Sequence, residues 1–179
     1  MTKAAAALRL ESIASPIGDL LVATQGDAIC AIAFEGGEAE TERYLARQYP
    51  GCAKAHGRVP ASVGRALDRY FDGDMAAFER IETAPRGTAF QERVWDALQT
   101  VPAGRTVSYA DIAQRIGQPA AVRAVGLANG RNPVPIVIPC HRIIGRDGSL
   151  TGFGGGLERK AWLLRHEGAL GTLDLGDGR

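Results

Sequence analysis

The sequence predicts a small α/β unit followed by a mainly helical unit. Three observations lead to this fold class. Short apolar segments with a period of two fill the first third of the chain, as the strands of a half-buried sheet require. After the segment Ala84-Pro85-Arg86-Gly87, which is typical of a boundary, the apolar spacing becomes that of helices. The length of 179 residues is enough for one large domain or two small ones.

The composition excludes several classes of protein. Hydrophobic residues make up 45% of the chain and charged residues 23%, which is typical of a soluble globular protein. No apolar run approaches the roughly 18 residues that a membrane helix needs, and the N-terminal apolar stretch is too short for a secretory signal. The three cysteines, Cys30, Cys52 and Cys140, are odd in number and do not form a disulfide framework. We therefore expect a reduced, cytoplasmic protein.

The first unit, residues 1–85, has the pattern of a small sheet flanked by helices. A turn at Gln25-Gly26-Asp27 separates two apolar runs and is typical of a hairpin. We therefore predict a small antiparallel sheet. The predicted strands are 8–13, 20–24, 28–34 and 75–83, and the predicted helices are 38–48 and 61–71.

The second unit, residues 86–170, begins with a strong helix signal. Thr88 and Gln91 have the spacing of a capping box, in which each residue satisfies a backbone N–H group of the other. The helix that follows has apolar residues along one face, which predicts that this face is buried. These residues are Phe90, Val94, Leu98 and Val101.

Two further helices in this unit are predicted from their end signals. Ser108 starts the first of them, and Gly117 ends it. Pro119 is predicted to open the next, because proline is favoured at the first helical position, and Gly130 to close it. A short helix, a turn and a second helix have the outline of a helix-turn-helix, although many other helical domains share it.

The charge distribution favours a nucleic-acid partner for the second unit. Residues 1–85 carry a net charge of −3, and residues 86–179 a net charge of +4. Eleven of the twelve basic residues in the second segment are arginines, whose planar guanidinium groups suit phosphates and base edges. Arg123 lies off the apolar stripe of Val122 and Val125, which are predicted to face the core. Its helical neighbours are mostly small, so the backbone could closely approach whatever the side chain enters; a surface arginine without a role is the alternative.

Cys140 is the candidate nucleophile. It lies in PVPIVIPCHRIIG, residues 133–145, an apolar and proline-rich segment. One cysteine beside one histidine cannot supply a tetrahedral metal site, and an inert buried cysteine remains an alternative. His141 and Arg142 follow directly, and nearby cations lower the pKa of a thiol. We therefore predict a reactive thiolate.

The geometry expected for this pair involves a water molecule. Adjacent side chains of an extended segment point in opposite directions, so His141 is expected to reach Cys140 through one water. The histidine then needs a partner that fixes its tautomer, and the candidates lie in the predicted helix at 157–167. A cysteine hydrolase that uses the same two residues stays open.

Residues 151–156, TGFGGG, form a glycine-rich segment between Cys140-His141 and the predicted helix at 157–167. The segment lacks the spacing of a nucleotide-binding loop. Its bare N–H groups could approach a flat ligand closely, with Phe153 as a lining ring. A flexible surface loop is the alternative.

Together these segments resemble the O6-alkylguanine-DNA alkyltransferase family. The resemblance covers roughly residues 85–168, and the first unit resembles the family more by outline than by motif. It implies a ribonuclease H-like α/β domain at 1–85 and a winged-helix-like helical domain with a helix-turn-helix at 86–170. The glycine- and aspartate-rich composition of 171–179 predicts a flexible tail. The matching segments are 90–101, VSYADIA at 107–113, Arg123, GRNPVPIVIPCHRIIG at 130–145, TGFGGG at 151–156 and LLRHEG at 163–168.

The resemblance implies a DNA repair protein that reacts once. The alkyl group of O6-alkylguanine, or of O4-alkylthymine, would move irreversibly to Cys140 after the base has flipped through the minor groove. The partner would be double-stranded DNA, with no metal, cofactor or membrane. The protein would be a monomer, and clustering along DNA stays open.

The resemblance also implies a role for each site residue. In the reaction these are Cys140 as nucleophile and alkyl acceptor, His141 as water-mediated base, Glu167 as the group that orients His141, Tyr109 as hydrogen-bond donor to the base, and Asn132 as a hinge. In DNA binding they are Arg123, which replaces the flipped base, with Ala120, Gly126, Thr106, Ser108 and Arg142. In the base pocket they are Phe153, Gly154 and Ile143.

The chain departs from the family pattern at two places. Some relatives carry Tyr-Ser where this chain has Phe153-Gly154, so two hydroxyl groups are missing near O6. The zinc site of some eukaryotic members has no match here. A damage sensor that recruits other repair factors without transfer is the main alternative, although alkyltransferase-like sensors carry tryptophan at the position of Cys140.

Overall fold

The computed structural model describes residues 7–170 and contains a four-stranded sheet with two helices, followed by a helical unit. The predicted flexible tail, residues 171–179, lies outside the described residues. The first unit contains β1 (Leu8–Ile13), β2 (Leu20–Gln25), β3 (Ala28–Phe34), α1 (Glu38–Gln48), β4 (Lys54–His56) and α2 (Ala61–Phe71). The second contains α3 (Ala89–Gln99), β5 (Val107–Ser108), α4 (Tyr109–Arg115), α5 (Val122–Gly130), a 3-10 turn (Cys140–Arg142), β6 (Ile143–Ile144) and α6 (Leu157–His166).

The sheet is mixed, whereas the sequence predicted a small antiparallel sheet; only the pairing of the short strand β4 differs. Its strand order is β3-β2-β1-β4. The pairs β1–β2 and β2–β3 are antiparallel, whereas β4 runs parallel to β1. Hairpin loops can join only antiparallel neighbours, and parallel strands need a crossover. The segment from β3 through α1 provides that crossover and brings β4 to the opposite edge.

The predicted strand at 75–83 is also wrong. Residues 75–80 form turns, and only Thr83 makes an isolated bridge, to Ile29. The side chain of Asp74 accepts a hydrogen bond from the N–H group of Ala76 at 3.0 Å. Such local bonds compete with strand pairing and favour a turn.

Helix α3 begins as predicted. Thr88 and Gln91 form both hydrogen bonds of the capping box. Val94 and Leu98 are fully buried, and the indole N–H group of Trp95 donates to the carbonyl oxygen of Ala128 at 3.0 Å. This bond ties α3 to α5.

Helices α4 and α5 form the predicted helix-turn-helix, but α5 starts later than predicted. Its first residue is Val122 rather than Pro119. The N–H group of Ala121 donates to the carbonyl oxygen of Gln118 at 2.9 Å, which closes a turn around Pro119 and Ala120. Proline is favoured at the first central position of such a turn as well as at the first position of a helix, because both need the φ angle that its ring fixes. Pro119 therefore forms a turn here and does not start the helix.

The two units share one apolar core. Residues of β3 and α2 pack in the same buried cluster as residues of α3, α5 and α6. The N–H group of Ile32 on β3 donates to the carbonyl oxygen of Pro133 at 2.8 Å. The first unit therefore supports the segment that leads to Cys140. The division at residue 85 into two domains stays a prediction.

Within residues 7–170, none of the helices has the length and apolar character that crossing a bilayer requires.

Candidate active site

A loop of three prolines, residues 131–139, delivers the chain to Cys140; we call it the proline loop. The segment was predicted to be extended, and this is wrong, because it consists of turns and ends in the 3-10 turn Cys140–Arg142. Proline lacks the N–H group that strand pairing needs. Asn132 organises the loop instead: its Nδ2 donates to the carbonyl oxygen of Ile138 at 2.7 Å, and its Oδ1 accepts from the N–H group of Val134 at 3.0 Å.

The proline loop contains a strained residue. Ile136 has a φ angle of +74° and is the only residue other than glycine between 7 and 170 with a positive φ. A β-branched side chain rarely adopts this conformation, which costs about 1–3 kcal/mol. Ile136 is 1% exposed, so its packing holds it there.

Cys140 is buried at the wall of a cavity of about 850 Å³. Phe153, Gly154 and Pro135 line the same cavity. Burial raises the pKa of the Cys140 thiol to about 11, and a hydrogen bond from Asn132 and the charge of Lys160 act in the opposite direction. The predicted lowering of this pKa is therefore wrong for the free protein.

A buried network lies directly behind Cys140. Nε2 of His141 lies 2.8 Å from Oε1 of Glu167, at the end of α6. Arg142 Nε donates to Oε2 at 2.8 Å, and its Nη2 donates to Oε1 at 2.9 Å. Burial would raise the pKa of Glu167, but the hydrogen bonds from His141 and Arg142 outweigh it and hold the pKa far below its usual value.

The imidazole of His141 is neutral in this arrangement. The side chain is fully buried, and burial lowers its pKa below the ordinary 6.5, although Glu167 opposes this shift. With Nε2–H donating to Glu167, the lone pair is on Nδ1. Nδ1 has no hydrogen-bond partner among residues 7–170. His141 therefore presents a free proton acceptor.

The glycine-rich segment is anchored rather than loose. The ring of Phe153 lies 5.5 Å from that of Phe34 and 6.5 Å from that of His141. A Cβ atom at Gly155 would lie 2.7 Å from the Phe34 ring, so only glycine fits there. Arg159 donates to the carbonyl oxygen of Gly155 at 3.1 Å. These contacts anchor Phe153 and Gly155, while Thr151, Gly152, Gly154 and Gly156 are exposed, so the segment lies at the surface and is held at two points.

Comparison with known proteins decides the family. Residues 8–85 match the family model of the 6-O-methylguanine DNA methyltransferase ribonuclease-like domain. Residues 89–169 match the model of the DNA binding domain of the same proteins. The chain belongs to the 6-O-methylguanine DNA methyltransferase family. The resemblance seen in the sequence is thereby confirmed, as is the two-part fold class.

Relatives and structures of this family are similar over nearly the whole chain. The Methylated-DNA--protein-cysteine methyltransferase of Salmonella typhimurium is 44% identical over 163 residues, covering 89% of this chain and 95% of that protein. The protein of that name from Mycobacterium tuberculosis is 42% identical, covering 94% and 97%. The crystal structure of Mycobacterium tuberculosis OGT in complex with DNA is 41% identical, with a TM-score of 0.76 over 90% of this chain and 93% of that one.

One DNA-binding residue predicted for this family member needs correction. Arg142 was predicted to bind DNA, but its side chain is buried. Its guanidinium group is occupied by both oxygens of Glu167 and by the carbonyl oxygen of Val101. A group committed to buried partners cannot reach a phosphate, so Arg142 supports Glu167 instead.

Lys160 is a site residue that the sequence analysis missed. It lies on α6, is fully buried, and donates from Nζ to the carbonyl oxygens of Ile143 and Thr151. Burial lowers its pKa to about 8. Its spacing of three and four residues from Leu163 and Leu164 places it on the buried face of α6, and this spacing could have identified it.

Tyr109 connects the helix-turn-helix to the glycine-rich segment. Its hydroxyl donates to the carbonyl oxygen of Thr151 at 3.2 Å. A Cβ atom at Gly126 of α5 would lie 3.8 Å from the Tyr109 ring, in ordinary contact. A Cβ atom at Gly152, which lines the cavity, would lie 3.7 Å from the Tyr109 hydroxyl, so Tyr109 is close to the cavity although it does not line it.

The outer face of α5 is exposed, and Arg123 lies on it without a hydrogen bond or ion pair within residues 7–170. Val122 is 37% exposed and Leu127 60%, so the prediction that Val122 faces the core is wrong. Ala120 is exposed, and Thr106 is half-buried. The Ser108 hydroxyl is engaged in the capping box of α4 with Asp111, which leaves it less available for DNA than predicted.

The remaining predicted pocket residue, Ile143, is buried behind the cavity and does not line it. Its carbonyl oxygen accepts from Lys160. The role of Ile143 in the base pocket therefore stays a prediction.

Proposed function

We propose that this protein repairs DNA by transferring the alkyl group of O6-alkylguanine, or of O4-alkylthymine, to the sulfur of Cys140. The observation that carries the proposal is a buried thiol at a cavity wall, followed directly by a histidine whose far nitrogen is held by Glu167. The relatives named Methylated-DNA--protein-cysteine methyltransferase support it.

The thiol is activated by proton transfer to His141. Nε2–H donates to Glu167, so Nδ1 is the acceptor, and one water carries the proton between Sγ and Nδ1. The resulting imidazolium is stabilised by the carboxylate of Glu167, 2.8 Å away. Since burial disfavours a lone thiolate, the thiolate forms together with the imidazolium as an ion pair.

The transfer step is a displacement at the alkyl carbon. A bond forms between Sγ of Cys140 and the carbon while the bond from that carbon to O6 breaks, and its electron pair passes to the base. Tyr109 donates a hydrogen bond to the departing base, which limits the negative charge on it. The product is a thioether at Cys140, which water does not cleave, so each molecule reacts once.

Access to the base requires extrusion from the duplex, which costs a few kcal/mol. The exposed face of α5 supports a role in this step, because a helix in the minor groove can insert one side chain and unstack the duplex. Arg123 fills the gap that the base leaves. Ala120 and Gly126 allow close approach of the backbone, and Thr106 contacts the DNA backbone.

We place the flipped base against the part of the cavity wall that contains Cys140, Phe153 and Gly154. The cavity volume of about 850 Å³ lies within the range of small-molecule sites. Phe153 lines the base, and the N–H group of Gly154 faces O6. The carbonyl oxygens of Cys140 and Ile143 accept from the amine of guanine. Asn132 is the hinge between α5 and this pocket, supported by its bonds within the proline loop.

We also propose a cytoplasmic location and a monomeric form on DNA. Three free cysteines are consistent with a reducing compartment. The proposed reaction needs no metal or cofactor.

Mass analysis after incubation with an O6-methylguanine duplex tests the function. We expect one added methylene unit on the Cys140 peptide, at most one for each molecule, with the Cys30 and Cys52 peptides of the same digest unchanged. Tight binding without a change in mass would instead identify a damage sensor. Repeated turnover of an ester substrate would identify a cysteine hydrolase.

A further inference from the structure

A side chain from the first unit enters the buried network behind Cys140. The hydroxyl of Tyr70, on α2, donates to Oε1 of Glu167 at 2.7 Å. The two residues are 97 positions apart in the chain, and Tyr70 is 1% exposed. Neither the function proposed above nor the sequence motifs assign a role to this tyrosine.

Tyr70 binds the same carboxylate oxygen as His141. Oε1 of Glu167 accepts from Tyr70 at 2.7 Å, from His141 Nε2 at 2.8 Å and from Arg142 Nη2 at 2.9 Å. Each donor reduces the negative charge that the oxygen offers to the other two. The strength of the bond between Glu167 and His141 therefore depends on the hydroxyl of Tyr70.

The tyrosine is held rigidly. Its ring packs 5.0 Å from that of Phe78 and 5.2 Å from that of His166. Nε2 of His166 lies 2.6 Å from the carbonyl oxygen of Tyr70, so the residue before Glu167 is bound by the same tyrosine. Burial and the charge of Glu167 raise the pKa of Tyr70 above its ordinary value, so its hydroxyl stays a donor across the physiological range.

We propose that Tyr70 is a positioning residue. Its hydrogen bond to Glu167 weakens the hydrogen bond between Glu167 and His141, and it thereby sets how readily His141 accepts the proton of Cys140. This inference rests on the function proposed above, and it makes α2 of the first unit part of the reaction machinery. The charged groups that act on His141 are then Glu167 just after α6, Lys160 on α6 and Arg142 on the 3-10 turn. Tyr70 acts through Glu167.

Removal of the Tyr70 hydroxyl is expected to raise the pKa of His141. In Tyr70→Phe, Oε1 keeps two donors, and its charge is more available to the imidazole. The imidazolium form of His141 is then stabilised, so His141 keeps its proton to higher pH. Because hydrogen bonds to charged groups are stronger than neutral ones, passing part of this bond on to the imidazole corresponds to a rise in the pKa of His141 of about one unit.

The experiment compares Tyr70→Phe with the natural protein by two measurements. The first is the proton resonance of His141 Nε2–H in the free protein at neutral pH, assigned by its absence from His141→Asn. It is expected to move downfield as the bond to Glu167 strengthens. The second is the pH dependence of the single-turnover transfer rate, whose acidic limb is expected to move up by about one unit.

Tyr49→Phe is the matched control. Tyr49 is also buried in the first unit, at 2% exposure, but its hydroxyl donates to the carbonyl oxygen of Ala84 and not to Glu167. We expect this variant to leave both measurements unchanged. Circular dichroism and the thermal midpoint of each variant separate a change in the network from a loss of folding.

A stronger donor provides the opposite test. Site-specific 3-fluorotyrosine at position 70 makes the phenol more acidic and should move the Nε2–H resonance upfield and the acidic limb down. It also tests the proposal if Tyr70→Phe does not fold. An unmoved resonance and an unmoved limb in folded variants, or equal shifts in Tyr49→Phe, would overturn the role of Tyr70. A moved resonance in a protein that transfers no alkyl group would leave the coupling intact and reject the function instead.

Discussion

Nε2 of His141 lies 2.8 Å from Oε1 of Glu167, and neither side chain is accessible to solvent. The carboxylate of Glu167 also binds Arg142, so one buried anion binds both the neutral imidazole of His141 and the positively charged guanidinium of Arg142. The pair therefore combines two functions, since Glu167 stabilises the fold through Arg142 and orients the proton acceptor of the proposed reaction.

Glu167→Ala should destabilise the protein strongly. The change leaves the guanidinium group of Arg142 buried without its anion, which costs about 3–5 kcal/mol. Urea denaturation measures the difference in the free energy of unfolding. Glu158→Ala, at an exposed position of the same helix, is the control and should change stability by less than about 0.5 kcal/mol. Equal stability of both variants would contradict a buried ion pair.

Stability should fall as the pH falls below neutral. The pKa of His141 is lowered from 6.5 and that of Glu167 from 4.5, so in both cases the unfolded chain binds protons more readily. Their contributions are complete above 6.5 and 4.5 respectively, and each is lost as the pH falls below that value toward the folded pKa. Urea denaturation at pH 7.5, about 5.5 and about 4 checks this prediction. A free energy of unfolding that stays constant over this range would refute it.

Cys140→Ala should abolish alkyl transfer while DNA binding is retained. In the proposed reaction the thiol makes the new bond, whereas the exposed face of α5 binds the duplex. Transfer is followed by mass analysis and binding by fluorescence anisotropy with a lesion-bearing duplex. Cys52→Ala, which changes a half-buried thiol of the first unit, should transfer normally. If Cys140→Ala lost DNA binding while Cys52→Ala kept it, the proposal that separate residues bind the duplex and accept the alkyl group would be wrong.

Lys160→Met should slow transfer by about tenfold, which corresponds to roughly 1.4 kcal/mol in the barrier. The variant loses the cation that opposes the raised pKa of Cys140, and it leaves the carbonyl oxygens of Ile143 and Thr151 without their donor. Single-turnover rates measure the effect. Arg165→Met, an exposed cation of the same helix, is the control and should react at the natural rate. A variant at Lys160 that is as fast as this control would show that the buried charge is not used.

Arg123→Ala should slow the repair of duplex DNA by at least about tenfold, which corresponds to roughly 1.4 kcal/mol in the barrier. Its effect on a single-stranded substrate should be much smaller, because no gap has to be filled there. Transfer rates on the two substrates give the comparison. Arg80→Ala removes an exposed arginine of the first unit and controls for the lost charge. Equal losses of transfer rate on both substrates would contradict the proposal that Arg123 fills the gap left by the flipped base.

Much of the site could be predicted from the sequence because its signals are local. Cys140 and His141 are neighbours, the capping box of α3 spans four residues, and the end signals around α4 and α5 lie within one helical turn. The pairing of His141 with Glu167 was inferred from family resemblance rather than from spacing. The start of α5 was missed because proline fits a turn as well as a helix start.

Other features depend on contacts between distant parts of the chain. The 3-10 turn at Cys140 follows from prolines that cannot pair and from Asn132, which bonds across the loop. Arg142 was predicted to bind DNA because its buried partner, Glu167, is 25 positions away in the sequence and no local pattern connects the two. No local pattern indicates that Tyr70 meets the same carboxylate.

The sequence by itself determined the family, the candidate nucleophile and the order of the main elements, because these depend on residue type and short spacing. Only the tertiary structure decided the directions in which the pKa values of Cys140 and His141 shift and the entry of Tyr70 into the network. The reason is physical. Burial and hydrogen bonding depend on which groups surround an atom after folding, and in this protein those groups come from α2, α6 and the proline loop.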